Sequence, residues 1–201
     1  MPVPAGSTTD LVSRVVALKM SEAWNQQVVV DNRPGGVMMI ATDIVAKSPP
    51  DGHTIGTLFT PMAVSPFVMK SLPYNTERDL QAVSQMVAVP GVMTLFPGVG
   101  AKDLKEVIAL AKAKPGALNY GSPGQLTSGH LSMELLKSRL GLNIQHVPYK
   151  GGAPAITDMI AGQIQFLISG PPGVLPHINA GRLRAIATTS AKRRSEEHTS
   201  E

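Results

Sequence analysis

Cysteine is absent from the 201 residues, and this absence excludes several kinds of chemistry. A chain without a thiol has no disulfide framework, no cysteine nucleophile and no thiolate metal site. The five histidines do not have the spacing of a metal site either. No Walker sequence and no Gly-x-Gly-x-x-Gly motif is present to hold a nucleotide. The sequence therefore predicts neither a metal nor a cofactor.

Aromatic residues, clustered charge and long apolar runs are also scarce. One Trp, three Tyr and four Phe could stack few bases, and the net charge of +4 comes from scattered basic residues. These features argue against nucleic-acid binding. No apolar run approaches the roughly 18 residues of a membrane span. Met1 to Pro4 lack the basic and apolar regions of a signal peptide.

What the sequence does contain is a series of loops that combine glycine with hydroxyl side chains. The longest, Asn119 to His130, lies between a short apolar run and an amphipathic run. Glycine lets a backbone approach a ligand closely, and a helix that begins near Ser128 directs free N–H groups at the loop. Those donors and the helix dipole favour an anion. Because the loop contains no acid, Lys or Arg, it predicts a pocket that holds an anion without transforming it.

Two further loops have the same design. Pro4 to Asp10 precedes a periodic apolar run, and Ser7 with Asp10 fits the capping-box pattern. Val147 to Pro154 follows a strand-like run, and Pro154 suits the first turn of a helix. Taken singly, each loop is better explained as a helix cap. Three such loops in one chain favour ligand binding.

The order of the elements predicts an α/β fold with two doubly wound lobes. Strand, turn and helix alternate, which indicates parallel sheets with ligands beyond the carboxyl ends of the strands. A β-rich run over residues 82–96 suggests a strand that leaves one lobe, bends at Pro90-Gly91 and enters the other. We therefore expect a first lobe over residues 1–90 and a second over 91–193. The predicted strands are 28–32, 54–59, 82–90, 92–96, 118–122, 144–149, 164–168 and 183–189. The predicted helices begin near residues 7, 37 and 60, and then cover 102–114, 128–140, 154–161 and 172–180.

A serine hydrolase is the enzymatic alternative. Its nucleophile would be Ser122 or Ser128, with His130 as the base and Asp10 to orient it. Ser122 is one residue out of register with a Gly-x-Ser-x-Gly elbow, and nothing in the spacing requires this arrangement. We therefore favour a non-enzymatic receptor with no catalytic residue. A third interpretation, a structural or interaction module, is weakened by three pocket-type loops at one sheet edge.

Several longer motifs occur in a characteristic order. They are Val30-Asp31-Asn32-Arg33-Pro34-Gly35, Ala46-Lys47-x-x-Pro50-Asp51-Gly52-His53-Thr54, Leu72-Pro73-Tyr74, Leu118-Asn119-Tyr120 and His146-Val147-Pro148-Tyr149-Lys150-Gly151. The chain from Pro2 to Arg193 thereby resembles the receptors of tripartite tricarboxylate transporters, the Bug or TctC-like extracytoplasmic solute-binding proteins. The resemblance implies a type II periplasmic-binding-protein fold, with two lobes around a cleft. It also implies a periplasmic location and capture of a small carboxylate for two integral membrane transporter subunits.

The resemblance further implies which residues bind the carboxylate. The first pocket loop corresponds to Pro4, Ala5, Gly6, Ser7, Thr8 and Asp10. The second, expected to face it across the cleft, corresponds to Ser122, Pro123, Gly124, Thr127, Ser128 and His130. Weaker correspondences are Thr60, Tyr149, Lys150 and Ser169. Leu126 stands where a glycine is common in the family. Such a pocket would hold a carboxylate through amides, hydroxyls, helix ends and bridging waters.

Both ends of the chain depart from the family pattern. Met1 corresponds to the end of the family's first strand, and the segment that returns to complete the first lobe is missing. We therefore expect the chain as written to bind carboxylates weakly or not at all. Residues Arg194 to Glu201 match the translation of a common sequencing adapter. We expect this tail to be non-native and to pack against nothing.

Overall fold

The computed structural model describes residues 1–190, so the tail at Arg194–Glu201 lies outside the described residues. The chain divides into two compact units, one over residues 1–84 and one that begins at Gln85. The predicted lobes, with their boundary after residue 90, stay a prediction. Within residues 1–190, none of the helices combines the length and the apolarity that crossing a bilayer requires.

The first unit contains three α-helices. They are α1 (Thr8–Trp24), α2 (Met39–Ala46), which follows a 3-10 helix at Gly36–Met38, and α3 (Thr60–Val68). Helix α1 begins where the capping pattern predicts, because the Asp10 N–H donates to the Ser7 hydroxyl at 3.3 Å. It ends at Asn25, whose left-handed backbone, with φ of 50°, is typical of a helix end.

The strands predicted in the first unit are wrong. Residues 28–32 and 54–59 form no ladder, and they are not buried as parallel strands would be. Val29 is 73% exposed and Ile55 is 55% exposed. Parallel strands are stable when helices cover both faces and neighbouring strands satisfy both edges. These two segments have neither, although their local composition favours strand.

Met1 pairs with the end of the segment at 28–32 as a residue of a parallel strand would. The Arg33 N–H donates to the Met1 carbonyl at 2.7 Å, and the Met1 amino group donates to the Asp31 carbonyl at 2.7 Å. Met1 thus bonds to the two residues on either side of Asn32. In a parallel ladder, a residue bonds in this way to the two residues that flank the one opposite it. The carboxyl end of the segment at 28–32 therefore has an extended conformation that can pair. Within the described residues, no strand runs beside the rest of the segment.

The second unit is built on one mixed sheet of five strands. The strands are β1 (Val92–Leu95), β2 (Asn119–Ser122), β3 (Gln145–Pro148), β4 (Phe166–Ser169) and β5 (Arg184–Thr188), in the order β3-β2-β4-β1-β5. Strand β2 is parallel to β3 and β4, whereas β1 is antiparallel to β4 and β5. The expectation of a wholly parallel sheet is therefore wrong for β1.

Helices cover both faces of this sheet. They are α4 (Leu104–Ala113), α5 (Ser128–Leu140), α6 (Gly152–Ile160) and α7 (Pro171–Asn179). Successive residues of β4 point to opposite faces: Phe166 lies in one apolar cluster with Val107 and Met133, and Leu167 lies in another with Met159. The alternation of strand and helix predicted from residue 102 onward is confirmed, with shifts of one or two residues at most ends.

The segment that precedes β1 is not a strand. Residues 82–90 were expected to belong to the first lobe's sheet, but they form no ladder and residues 82–89 are exposed. Val83, for example, is 83% exposed. Without a partner, β-branched residues gain no ladder hydrogen bonds and bury little surface. The other half of the β-rich run, Val92–Leu95, lies in the sheet of the second unit as predicted.

Candidate ligand-binding site

Three connections gather at one edge of the sheet in the second unit, where the parallel strands β2, β3 and β4 end. We call residues 123–127 the β2–α5 loop and residues 149–151 the β3–α6 loop. The Tyr149 N–H donates to the Ser122 carbonyl at 3.0 Å, and the Gly151 N–H donates to the Pro123 carbonyl at 2.9 Å. These bonds tie the two loops together at the carboxyl ends of their strands, which is where α/β sheets bind ligands.

Ser169 joins the same group from the end of β4. Its hydroxyl oxygen lies 3.7 Å from the position that a Cβ would take on Gly152, the first residue of α6. The half-buried hydroxyl has no hydrogen bond within residues 1–190. The structure therefore brings together every candidate of the second unit, namely Ser122, Pro123, Gly124, Thr127, Ser128, His130, Tyr149, Lys150 and Ser169.

The amino end of α5 presents backbone donors that have no acceptor. Thr127 occupies the cap position, but its hydroxyl donates back to the Gly124 carbonyl at 2.7 Å and caps no helical amide. The N–H groups of Ser128, Gly129 and His130 donate to no atom within residues 1–190. The first N–H groups of a helix have no partner inside the helix, and they attract anions.

Gly129 allows α5 to lie directly against β4. A Cβ at this position would be 2.4 Å from the carbonyl oxygen of Ile168, which is a backbone atom within the sheet. Any side chain would therefore push the amino end of α5 away from β4. The glycine thus keeps the free amides beside the end of that strand.

Leu126 has a left-handed backbone conformation, with φ of 60°. This conformation costs a non-glycine residue about 1–2 kcal/mol. The Leu126 N–H donates to Nδ1 of His130 at 3.2 Å, and this hydrogen bond helps to hold the strained residue.

Ser122 is fully buried, and its hydroxyl is hydrogen bonded within the protein. It lies 2.7 Å from Nε2 of His146, donates to the Gly124 carbonyl at 2.9 Å and accepts from the Gly124 N–H at 3.3 Å. The Ser122–His130 pair of the hydrolase alternative is therefore wrong. His130 accepts from Leu126 instead, and no substrate reaches a serine oxygen that is wholly buried.

His146 was not among the site residues predicted from the sequence; its ring stacks with Tyr120 and packs at a tilt against His130. The ring centroids of His146 lie 4.7 Å from Tyr120 and 4.2 Å from His130. The Tyr120 hydroxyl donates to the Glu134 carboxylate at 2.5 Å, and Lys137 binds the same carboxylate at 2.6 Å. The family motif that begins at His146 drew attention to this part of the sequence. Only the parallel register of β2 and β3, which pairs His146 with Tyr120, shows which side chains His146 contacts.

Burial keeps both histidine rings neutral. Burial, with a smaller contribution from the neighbouring His130, lowers the pKa of His146 to about 4. Burial also lowers the pKa of His130, against the opposing effect of the Glu134 carboxylate. In its neutral form, His130 accepts at Nδ1 and therefore carries its hydrogen on Nε2.

The β3–α6 loop provides one cation, and the start of α6 provides two further amides. Lys150 is exposed, and its ammonium has no partner within residues 1–190. The Gly152 and Ala153 N–H groups at the start of α6 likewise have no acceptor in the described chain. Tyr149 is engaged, because its hydroxyl donates to Asp158 at 2.7 Å, and burial with this bond raises its pKa to about 12.

The remaining candidates lie in the first unit. Ala5 and Gly6 are exposed in the loop before α1, and Gly6 has φ of 78°. Ser7 caps the helix, which begins at Thr8. Thr60 is exposed at the first position of α3, where the cap residue supplies no side-chain hydrogen bond.

Asp10 is buried in the first unit and is fully engaged there. Its carboxylate accepts from the Gly6 N–H at 2.8 Å, from Arg14 at 2.9 Å and from the side chain of Asn32 at 2.9 Å. The Arg14, Asn32 and Gly6 bonds, in that order of importance, lower the pKa of Asp10 to about 2. The carboxylate is charged at neutral pH and holds the loop to the helix.

Comparison with known proteins agrees with the resemblance found in the sequence motifs. The chain is 38% identical over 195 residues to Protein BugT of Bordetella pertussis (strain Tohama I), covering 96% of this chain and 60% of BugT. It is 37% identical over 193 residues to the UPF0065 protein in the tcbD-tcbE intergenic region of Pseudomonas sp. (strain P51), covering 96% and 57% respectively. The chain therefore spans less than two thirds of these relatives.

Solved structures give the same fold. The R. palustris protein Rpa4515 with adipate superposes with a TM-score of 0.87 at 34% identity, covering 96% of this chain and 64% of that one. The periplasmic binding protein BugD superposes with a TM-score of 0.83 at 29% identity, with the same coverage. The expected periplasmic-binding-protein fold is confirmed. A family model described as "Tripartite tricarboxylate transporter family receptor" matches residues 12–197. The chain thus belongs to the tripartite tricarboxylate transporter receptor family.

Proposed function

We propose that the protein is a solute-binding receptor that captures a small carboxylate at the sheet edge of the second unit. The observation that carries this proposal is the uncapped amino end of α5, where the amides of Ser128, Gly129 and His130 are free beside the end of β4. A carboxylate is the kind of anion that such an end accepts. The relative Rpa4515 was solved with adipate, a dicarboxylate.

Further donors at the same edge extend the proposed site. The amides of Gly152 and Ala153, the ammonium of Lys150 and the hydroxyl of Ser169 all belong to the connections that meet there. Ser122 and Gly124 shape the β2–α5 loop through their mutual hydrogen bonds. Contacts from Ala5, Gly6, Ser7 and Thr8 of the loop before α1, and from Thr60, stay predictions of the family resemblance. Asp10 contributes by holding that loop in place.

The charge of the second unit supports an anionic solute. Residues 85–190 contain nine Lys and Arg against four Asp and Glu, whereas residues 1–84 contain six against seven. An excess of positive charge raises the local concentration of anions and speeds their association. Within residues 1–190, the one site hydroxyl that is hydrogen bonded to a histidine, that of Ser122, is buried, and this favours capture without chemistry.

Family membership supports the rest of the proposal. The receptor would work in the periplasm and pass its carboxylate to two integral membrane subunits of a tripartite transporter. The family description names such a transporter, and the relative BugD is described as a periplasmic binding protein.

A pair of variants at Ser128 tests the role of the α5 amides. Ser128→Pro removes one N–H at the first helical position, where proline is tolerated, and the extended backbone of Thr127 suits a following proline. Ser128→Ala removes the hydroxyl and keeps the amide. A hydrogen bond to a charged group contributes about 1.5–3 kcal/mol. We therefore expect Ser128→Pro to weaken adipate binding about tenfold or more in calorimetry, and Ser128→Ala to change it little.

The control ligand is adipamide, which has the shape of adipate without its charge and is expected not to bind. Equal affinities for adipate and adipamide, or equal effects of the two Ser128 variants, would contradict an amide-held carboxylate.

A further inference from the structure

The β2–α5 loop is held at both ends by histidine side chains that use different ring nitrogens. Nδ1 of His130 accepts from the Leu126 N–H at 3.2 Å. Nε2 of His146 lies 2.7 Å from the Ser122 hydroxyl, which bonds to both the N–H and the carbonyl of Gly124. The two rings pack with centroids 4.2 Å apart. One pair of packed histidine rings therefore fixes Leu126 directly and Gly124 through Ser122.

The first unit contains a hydrogen bond equivalent to that between Leu126 and His130, but its acceptor is a carboxylate. In α1 the third helical residue, Asp10, accepts from the N–H of Gly6, the residue before the cap, at 2.8 Å. In α5 the third helical residue, His130, accepts from the N–H of Leu126, also the residue before the cap. Gly6 and Leu126 both have positive φ, at 78° and 60°. This is a capping box in which the side chain reaches one residue further back.

The acceptor side chains at the third positions of α1 and α5 differ in charge, and this charge affects anion binding at the helix end. Asp10 is ionised and brings a negative charge to the end of α1. His130 makes the equivalent bond as a neutral ring, so no negative charge lies at the third position of α5. A carboxylate there would repel an anion at the free amides of that helix end.

We infer that His130 and His146 are positioning residues, which fix the β2–α5 loop without placing a negative charge beside the carboxylate at the end of α5. The part of the inference that concerns the carboxylate rests on the proposed function. The part that concerns the loop rests on the hydrogen bonds alone.

The amide side chains Asn and Gln test the two nitrogens separately. The Asn oxygen stands where the acceptor Nδ1 stands in histidine, and the Gln amide NH2 group reaches the position of Nε2, from which it can donate. His130→Asn should therefore keep the bond to Leu126, and His130→Gln should lose it. At position 146 the order reverses, so that His146→Gln keeps the bond to Ser122 and His146→Asn loses it.

Amide hydrogen exchange measures, without any ligand, whether Asn preserves the hydrogen bond at position 130 and Gln preserves it at position 146. We expect the Leu126 amide to exchange at least tenfold faster in His130→Gln than in His130→Asn, and the Gly124 amide at least tenfold faster in His146→Asn than in His146→Gln. His53→Gln, at an exposed histidine of the first unit, is the matched control and should alter neither amide. If Asn and Gln behave alike at both positions, the histidines do not position the loop.

The unaltered protein gives a second measurement that does not depend on whether a variant folds. Because the Ser122 hydroxyl donates to Gly124, His146 must donate to Ser122 from Nε2. Nitrogen-15 spectra of the imidazoles at neutral pH should therefore show hydrogen on Nε2 of both His130 and His146. The opposite tautomers at both rings would overturn the inference.

His130→Asp tests the electrostatic part. Its carboxylate oxygen stands where Nδ1 stands, so the Leu126 amide should stay protected while adipate binding weakens at least tenfold relative to His130→Asn. Equal affinity in the Asp and Asn variants would show that charge at this position is irrelevant. If a version of the chain extended at both ends to the length of its relatives also binds no carboxylate, the proposed function fails, and the exchange rates of the Leu126 and Gly124 amides still decide the positioning role.

Discussion

At the scale of single residues, Gly129 is the residue of the proposed site that leaves the least space for a side chain. Its missing side chain is what lets α5 touch β4, because a Cβ would meet the Ile168 carbonyl at 2.4 Å. We expect Gly129→Ala to lower the free energy of unfolding by about 1–3 kcal/mol, as overpacking does. Gly152→Ala is the matched control, since its Cβ would make an ordinary contact at 3.7 Å within a helix. Urea unfolding of both variants measures the difference, and equal stabilities would contradict the close approach.

At the scale of elements, the stacked rings on β2, α5 and β3 predict a pH dependence. The groups that face the histidines are Tyr120 of β2 with Glu134 and Lys137 of α5. Because burial lowers the pKa of both histidines from 6.5, the stability that comes from their neutral forms is complete above pH 6.5. It is lost as the pH falls toward about 4, the pKa of His146.

Urea unfolding of the second unit between pH 7 and 4 measures this loss. His146→Gln cannot be protonated in this range and should flatten part of the profile. A profile unchanged by this substitution would show that the histidine stack does not set the acid sensitivity. Asp10 works in a lower window, because its lowered pKa stabilises the first unit above about pH 4 and is lost only as the pH falls through about 2.

At the scale of the whole molecule, the two units differ in how they bury apolar surface. The second unit has a five-stranded sheet with an apolar cluster on each face. The first unit has no ladder within its described residues, and one face of α1 exposes Leu11, Val15 and Leu18 by 57%, 61% and 58%. Regions with few buried apolar contacts open most readily.

We therefore expect slower amide exchange throughout β1 to β5 than in α1 to α3, by several orders of magnitude in the most protected strands. Hydrogen exchange followed by mass spectrometry on the whole chain measures this directly. Leu18→Lys, on the exposed face of α1, should leave the exchange of the second unit unchanged. Equal protection in the two units would contradict the argument. The expectation that this chain binds carboxylates weakly stays a prediction.

The sequence by itself determined the features that depend on near neighbours along the chain. The Ser7–Asp10 pattern predicted the start of α1, and the amphipathic run after Ser128 predicted α5 over 128–140, as the structure has it. The motif order also identified the family. A helix and its cap are made by residues within four positions of each other, so a local pattern is sufficient to specify them.

Only the tertiary structure decided which distant residues meet. The β-rich composition of 28–32, 54–59 and 82–90 predicted strands, but a strand exists only where another segment pairs with it. The hydrolase alternative paired Ser122 with His130 without support from the spacing, whereas the parallel register of β2 and β3 brings His146 to that hydroxyl. Ladder partners and buried side-chain contacts join residues that are tens of positions apart, and the folded arrangement of the elements, rather than local preference, fixes them.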